Sequence, residues 1–321
     1  MEEYIIEEYV PAMSGLWDST VRQSRNGTFL LLRQYMDYHA DRFSDRSLIV
    51  RDSRGRVAAL FAAADGAGTG TSPECIVAHP GLTYGGLILP VHTCGGDAVD
   101  ILGAIAAHYR SQGRRSMIYK AIPHIYHRSP AEDDIYALFR LGARIEEVNL
   151  SSACVAENEP EQNLNTRRNV VRGHKNGIYV AESTDFTAFH AMLTRNLAER
   201  HGATPVHSLP ELQLLAGRFP ENIRLFGAFS GDGTMQAGVL MYFTDTCAHA
   251  QYIASTPEGR DLRALPVLFD YLVRASLARF RYFDFGTSNE DHGRILNPGL
   301  IRQKCGFGAR GIAYVGYRLD L

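Results

Sequence analysis

Apolar positions switch repeatedly along the chain between a spacing of three to four and a spacing of two, which predicts helices and short β-branched strands in alternation. Residues 17–24 read as a helix and Asn26-Gly27 as a break. Residues 28–39 read as a second helix with Phe29, Leu32, Tyr35 and Met36 on one face. A hairpin follows, Ser47–Asp52 and Val57–Ala64 about the turn Asp52-Ser53-Arg54-Gly55. The loop Gly66–Thr71 is glycine-rich, but no helix with a Lys-Ser/Thr pair follows it, so it does not read as a phosphate cradle.

The later half repeats this order. A second hairpin, Leu225–Ser230 and Gln236–Thr244, turns at Gly231-Asp232-Gly233. After the first hairpin come a helix at 97–111, a strand at 116–122, a helix at 130–141 and a close on Gly142-Ala-Arg144. After the second come a helix at 264–279, a strand at 282–287, a helix at 298–304 and a close on Gly308-Ala-Arg310. The match predicts two tandem copies of one α/β (α+β) unit, each a mixed sheet flanked by helices. The acidic, polar stretch Ala156–Gln162 reads as their junction, with domains at 1–160 and 161–321.

Composition narrows the classes. With 45% hydrophobic residues the chain can bury two cores, and its net charge of −2 leaves no cation excess to blanket a polyanion. The cations are nearly all arginine, with lysine only at Lys120, Lys175 and Lys304, so a retained lysine draws notice as a compact, titratable ammonium. Cys75, Cys94, Cys154, Cys247 and Cys305 are scattered and odd in number, which points to reduced thiols and not a disulfide framework or zinc ribbon. The acidic start Met1-Glu2-Glu3 does not suit a signal peptide, and no apolar run has the length of a membrane span. The expectation is a cytoplasmic protein with no metal; His124 and His127 lack a third ligand.

The chemistry concentrates in residues 236–310. A long hairpin leads into Ser255-Thr256-Pro-Glu-Gly-Arg260 and an amphipathic helix, whose start, with Arg260 and Arg263 close by, is a candidate phosphate seat. The strand Tyr282-Phe-Asp-Phe-Gly286 and the polar loop Thr287–His292 follow, then Gly299-Leu-x-x-x-Lys304-x-x-Phe-Gly308. This order resembles the GNAT acyltransferase superfamily, and within it the tandem-domain branch of Fem-type peptidoglycan aminoacyltransferases and BioF2-like acetyltransferases. Arg167-Arg168…Lys175-Asn-Gly-Ile, Asn26-Gly-Thr-Phe-Leu and Tyr119-Lys-Ala-Ile-Pro-His-Ile-Tyr-His127 extend the resemblance over nearly the whole chain. The GNAT pyrophosphate loop is altered, however. Arg260-Asp-Leu-Arg-Ala264 carries arginine where the first glycine belongs.

The resemblance implies transfer of an acyl group, from acetyl-CoA or another acyl-CoA, to an amine of a cell-envelope glycan or peptidoglycan precursor. It places Lys304 beside the transfer centre, to stabilise an oxyanion or hold a phosphate; the plain alternative is a last-turn helix cation. Glu290 offers a base, or is part of a solvated turn, and Tyr252 offers an acid, or is a cross-strand aromatic. Ser255, Thr256, Arg260 and Arg263 would bind the donor. Tyr84, Lys120 and His127 in the first unit, with Ser288 and Asn297 in the second, would bind the acceptor. Backbone N–H groups near Tyr252–Ser255 would receive the acyl oxygen. Two other readings remain. The donor is an aminoacyl-tRNA contacted by Arg167, Arg168, Arg172 and Lys175, or the protein is a non-catalytic glycan- or partner-binding relative.

Overall fold

Strands and helices alternate throughout the computed structural model, which describes residues 4–67, 71–158 and 160–321. The start Met1-Glu2-Glu3, the middle of the Gly66–Thr71 loop and one residue of the acidic junction stretch lie outside the described residues. The chain divides into two units. Unit 1 holds Met1–Asn149, Asp291–Arg294 and Ala313–Leu321; unit 2 holds Leu150–Glu290 and Ile295–Ile312.

The strands are β1 (Ile5–Glu8), β2 (Leu48–Arg51), β3 (Val57–Asp65), β4 (Cys75–Ala78), β5 (Gly86–Ile88), β6 (Ser116–Lys120), β7 (Arg144–Val155), β8 (Tyr179–Ser183), β9 (Ile223–Phe229), β10 (Met235–Phe243), β11 (Cys247–Ser255), β12 (Tyr282–Thr287), β13 (Asn289–Glu290), β14 (Ile295–Leu296) and β15 (Arg310–Asp320). The helices are α1 (Ser14–Gln23), α2 (Arg33–Met36), α3 (Gly95–Ser111), α4 (Asp133–Arg140), α5 (Leu164–Lys175), α6 (Phe186–His201), α7 (Leu209–Arg218), α8 (Pro257–Leu262), α9 (Ala264–Leu277) and α10 (Pro298–Cys305).

The expected repeat is present in the pairing. In unit 1, β1, β2, β3 and β4 pair antiparallel in sequence, β4 pairs parallel with β6, and β6 pairs antiparallel with β15. In unit 2, β8, β9, β10 and β11 pair antiparallel, β11 pairs parallel with β12, and β12 pairs antiparallel with β7. Each closing strand is therefore drawn from the other half of the sequence. That exchange moves the division to Asn149/Leu150, because Ser151–Val155 are committed by hydrogen bonds to β12 of unit 2. The expected boundary at 160 falls inside that unit.

Unit 2 packs one face of its sheet on α9. Val267, Leu268, Phe269, Leu272 and Val273 meet Ala248 and Ala250 of β11 and Phe283 and Phe285 of β12. A ring cluster of Phe269, Phe283, Phe285 and Phe307 closes this core, with centroid spacings from 4.8 to 6.3 Å. Burial of each such side chain contributes about 1.5–3 kcal/mol. Gly177, at φ +79, follows the C-cap of α5.

One expected helix is interrupted. Residues 28–39 form a 3₁₀ turn at Phe29–Leu31, the single turn α2, and another 3₁₀ turn at Asp37–His39. The break falls at Leu32, which is extended, and the next amide, Arg33 N, is taken by the Asp18 carboxylate at 2.8 Å instead of a helical carbonyl.

In unit 1, His39 is 1% exposed and its ring stacks on Tyr38 and lies 5.1 Å from His79. Burial, with Arg42 adding to it, pushes His39 down to about 4, and burial likewise pushes His79 well below the usual range. The unfolded chain takes up these protons near pH 6.5 and the folded one resists them, so stability is full above pH 6.5 and falls as the pH drops toward 4. His39 alone accounts for roughly 3 kcal/mol of this. Melting temperature should therefore fall steeply between pH 6.5 and 4.5, and His39→Phe should flatten that limb. An unchanged slope in the variant would assign the acid sensitivity elsewhere.

Candidate active site

The parallel pairing of β11 with β12 is short. Cys247, Ala248 and His249 are in register with Tyr282, Phe283 and Asp284, and beyond that point the strands lose their ladder. A fork opens there. A register shift opposite Leu240/Met241 leaves Gln251 as an extra residue in β11, a β-bulge one turn of pleat into the fork. Farther along, Asn196 of α6 receives the Ser255 N–H at 3.1 Å and donates to the Ser255 carbonyl at 3.0 Å, standing in for a neighbouring strand. Ser255 therefore faces away from β10, and by strand alternation the Ile253 N–H and C=O face the same open side.

A buried polar cluster holds the apex. Asp284 is 0% exposed in a strand whose neighbours are phenylalanines, and it is satisfied by three donors. Ser151 Oγ and Gly286 N (3.1 Å) donate to Oδ1, and His249 Nδ1 lies 2.8 Å from Oδ2. Lys304, 3% exposed, lies just beyond. Its Nζ donates to Gly286 O (2.7 Å), Thr287 O (2.8 Å) and Ser288 Oγ (2.7 Å). Burial pushes its pKa down to about 8, while Asp284 pulls it the other way. An ammonium has three protons and all three are engaged. Lys304 is thus a pin for the end of β12, and contact with an oxyanion or phosphate would require it to release one of these bonds.

The other expected residues fall into three groups. Ser255, Arg260 and Arg263 line one cleft of about 580 Å³, together with Asn165 and Asn169 of α5 and Arg302 and Gln303 of α10. Arg263 stands at φ +64, an uncommon left-handed conformation for this residue type; it ends α8 and begins α9. Its Nε is buried with no hydrogen-bond partner. A strained arginine with an orphaned donor, in a cleft shared with Arg260 and Arg302, suits an anionic ligand. The backbone of the altered loop, by contrast, is spent internally. Gly259 N goes to Thr256 Oγ1, Arg260 N to Thr256 O and Arg263 N to Arg260 O. Thr256 is a helix cap and does not line the cleft.

Tyr252 is on the fork strand, its hydroxyl 2.5 Å from His207 Nδ1; burial pushes its pKa up to about 12, so the group is a neutral phenol at pH 7. Ser288 and Asn297 serve the loop. Ser288 is 2% exposed and accepts from Lys304, and Asn297 caps α10 by accepting from Leu300 N at 3.0 Å. Glu290 is exposed on the two-residue strand β13, and the carboxylate at the fork apex is Asp284.

In unit 1 the proposed acceptor side chains are tied to their own surroundings. Tyr84 is 2% exposed, donates to Thr28 Oγ1 at 3.1 Å and packs on Tyr126. Lys120 Nζ donates to Leu82 O, and burial pushes it down to about 8. His127 Nε2 lies 2.9 Å from Ile122 O, with burial lowering its pKa. These contacts brace loops of unit 1.

Sequence reading passed over His249, Asp284, Ser151, Asn196 and Arg302. The one legible signal was an aspartate inside an otherwise aromatic, buried strand, Tyr282-Phe-Asp-Phe, which demands partners. A further hollow of about 590 Å³ carries no comparable chemistry, since its cations Arg167 and Arg274 are paired with Glu161 and Asp270.

Unit 2 thus presents a forked parallel pair with a bulge on one arm and a cationic cleft at its mouth. Residues 162–294 match the model of the acetyltransferase (GNAT) domain. The whole chain has the fold of FemX, with a TM-score of 0.68 at 13% identity, covering 99% of this chain and 97% of that one. It is also similar to L-PGS from Bacillus licheniformis (TM-score 0.60, 13% identity, 97% and 92% covered). A tandem GNAT protein from the clavulanic acid biosynthesis pathway shares the fold as well (TM-score 0.51, 13% identity, 99% and 98% covered). No match was found among curated protein sequences. The GNAT match thus covers residues 162–294, and the chain as a whole shares the tandem, Fem-like fold of these structures. Among the described residues no helix is long and apolar enough to cross a membrane.

Lys304→Met preserves length and removes all three donors, leaving the Gly286 and Thr287 carbonyls without their partner. It should cost about 3 kcal/mol of stability in urea denaturation. A variant as stable as the parent would return Lys304 to a purely chemical role.

Proposed function

We propose that the protein is an N-acyltransferase that takes its acyl group from a CoA thioester, acetyl-CoA first among them, and delivers it to an amine of a cell-envelope glycan or peptidoglycan precursor in the cytoplasm. The observation that carries the donor is Arg263, whose unpartnered Nε and left-handed backbone sit in a cleft with Arg260 and Arg302. These guanidinium groups would bind the donor phosphates in place of the missing glycine loop, aided by the start of α9, where Leu265 and Pro266 line the same cleft. The thin arm of the donor would run along the fork. Its acyl oxygen would accept from the Ile253 N–H, and catalysis would come from positioning and from that preset donor, with no covalent enzyme intermediate. Tyr252 would supply a proton to the leaving group. The acceptor class follows from the Fem-type resemblance.

One observation favours aminoacyl-tRNA as a second donor reading. Asn165 and Asn169 of α5 line the cleft, and Arg168, Arg172 and Lys175 continue that helix as exposed cations. Steeply salt-dependent binding of charged tRNA would support it.

The test is a thermal melt with millimolar acetyl-CoA against an unrelated nucleotide. Ligand at 100 times its dissociation constant adds about 2.7 kcal/mol to the folded state. Arg263→Gly should relieve about 1 kcal/mol of backbone strain and melt no lower than the parent, yet lose most of the acetyl-CoA shift. A full shift in that variant would remove Arg263 from the donor site, and no shift in the parent would turn the donor search to charged tRNA.

A further inference from the structure

We propose that His249 is the proton acceptor for the attacking amine, with Asp284 as the residue that positions it; the assignment rests on the acyl-transfer reading above. His249 occupies the last paired position of β11 before the fork opens, directly in register with Asp284. Its Nδ1 lies 2.8 Å from Asp284 Oδ2, and the carboxylate's other oxygen takes Ser151 Oγ and Gly286 N. An ionised Asp284 carboxylate can only accept from the ring, and with it in that form Nδ1 carries the proton and Nε2 is the basic nitrogen. This is the arrangement by which a buried carboxylate fixes the tautomer and orientation of a catalytic imidazole. The exposures agree with such a division of labour: 0% for the Asp284 side chain and 11% for that of His249.

Two features of the backbone aim the ring. His249 opposes Tyr242 on β10 and Tyr252 opposes Leu240, and these partners are two residues apart on one strand. His249 and Tyr252 therefore share a face, about 7 Å apart along the strand, although they are three apart in sequence. The bulge at Gln251 supplies the odd residue that makes this possible. Ala248 and Ala250 point into the α9 core, so the shared face is the opposite one. Gly286 makes room: a Cβ there would lie 3.4 Å from His249 Cε1, and its φ of +77 favours glycine.

In the step assigned to this pair, the amine nitrogen attacks the thioester carbonyl carbon and the C–N bond forms. The amine proton passes to His249 Nε2. The C–S bond breaks and the departing thiolate takes the phenol proton of Tyr252, and the imidazolium's proton returns through water to the tyrosinate. Amine and thioester become amide and thiol.

The test measures thiol release from acetyl-CoA with glucosamine as the amine probe, in the parent, His249→Gln and His249→Ala. Glutamine can still donate to Asp284 but has no basic nitrogen. It should lower kcat at least about 100-fold while the acetyl-CoA melt shift and donor KM stay within about threefold of the parent. His249→Ala should lose as much and regain part of it with added imidazole, which a purely structural role would not permit. Activity in His249→Gln within threefold of the parent, or an alanine variant that binds acetyl-CoA normally and does not respond to imidazole, overturns the assignment and leaves acyl transfer standing. No thiol release by the parent with glucosamine, under conditions where acetyl-CoA shifts its melt, rejects this amine chemistry and His249's role in it together. Should glutamine fail to fold, imidazole rescue of the alanine variant decides alone.

Discussion

Opening a fork between two parallel strands leaves backbone N–H and C=O groups without their ladder partners inside a domain where water is scarce. Every feature of the site in unit 2 answers that constraint. Lys304 satisfies the Gly286 and Thr287 carbonyls on one arm, and Asn196 satisfies both backbone groups of Ser255 on the other. Asp284 takes the Gly286 N–H at the apex. What is left facing the gap is a short stretch of β11 near Ile253, and an acyl oxygen is the kind of acceptor such a stretch can receive. The side chains that brace the fork are thus as necessary to the chemistry as those that touch substrate, because without them the strands would close or the unmet groups would destabilise the core.

The cleft at the mouth of the fork uses a different device. Where a glycine loop would present bare N–H groups to a phosphate, this chain forms the helical turn α8 and spends those amides on itself. Gly259 is required for that packing, since a Cβ there would lie 2.1 Å from Gln236 O on the neighbouring strand. On the proposed donor reading, anion binding would pass to side chains, among them the left-handed Arg263.

The two units share one order of strands yet differ in what the order is used for. Unit 1 has the corresponding parallel pair, β4 with β6, but Lys120 at its end bonds to the loop carbonyl of Leu82. The equivalent architecture carries a buried histidine pair, His39 and His79, and the buried Tyr84. A shared order of strands does not dictate the same side chains, because a site depends on a few residues that the fold does not require.

Hydropathy periods and turn residues were sufficient to read the α/β class, the internal repeat and most elements, since these follow from local spacing and from burial of one face of each element. The resemblance over residues 162–294 was also legible in short motifs, and Ser255, Arg260 and Arg263 line one cleft because they flank one turn. Everything that depended on partners far away in the chain was not. The closing strands are exchanged between the halves, so no local feature marked the division at Asn149/Leu150. Lys304 stood out as a rare lysine, but its three acceptors lie 16 to 18 residues back and only packing brought them to it. His249 and Tyr252 have the wrong spacing to share a strand face until a bulge, set by pairing with β10, adds the residue between them. Ser151, His249 and Asp284 come from three strands that meet side by side, and a hydrogen bond spanning 133 residues, such as that from Ser151 to Asp284, has no signature in sequence order.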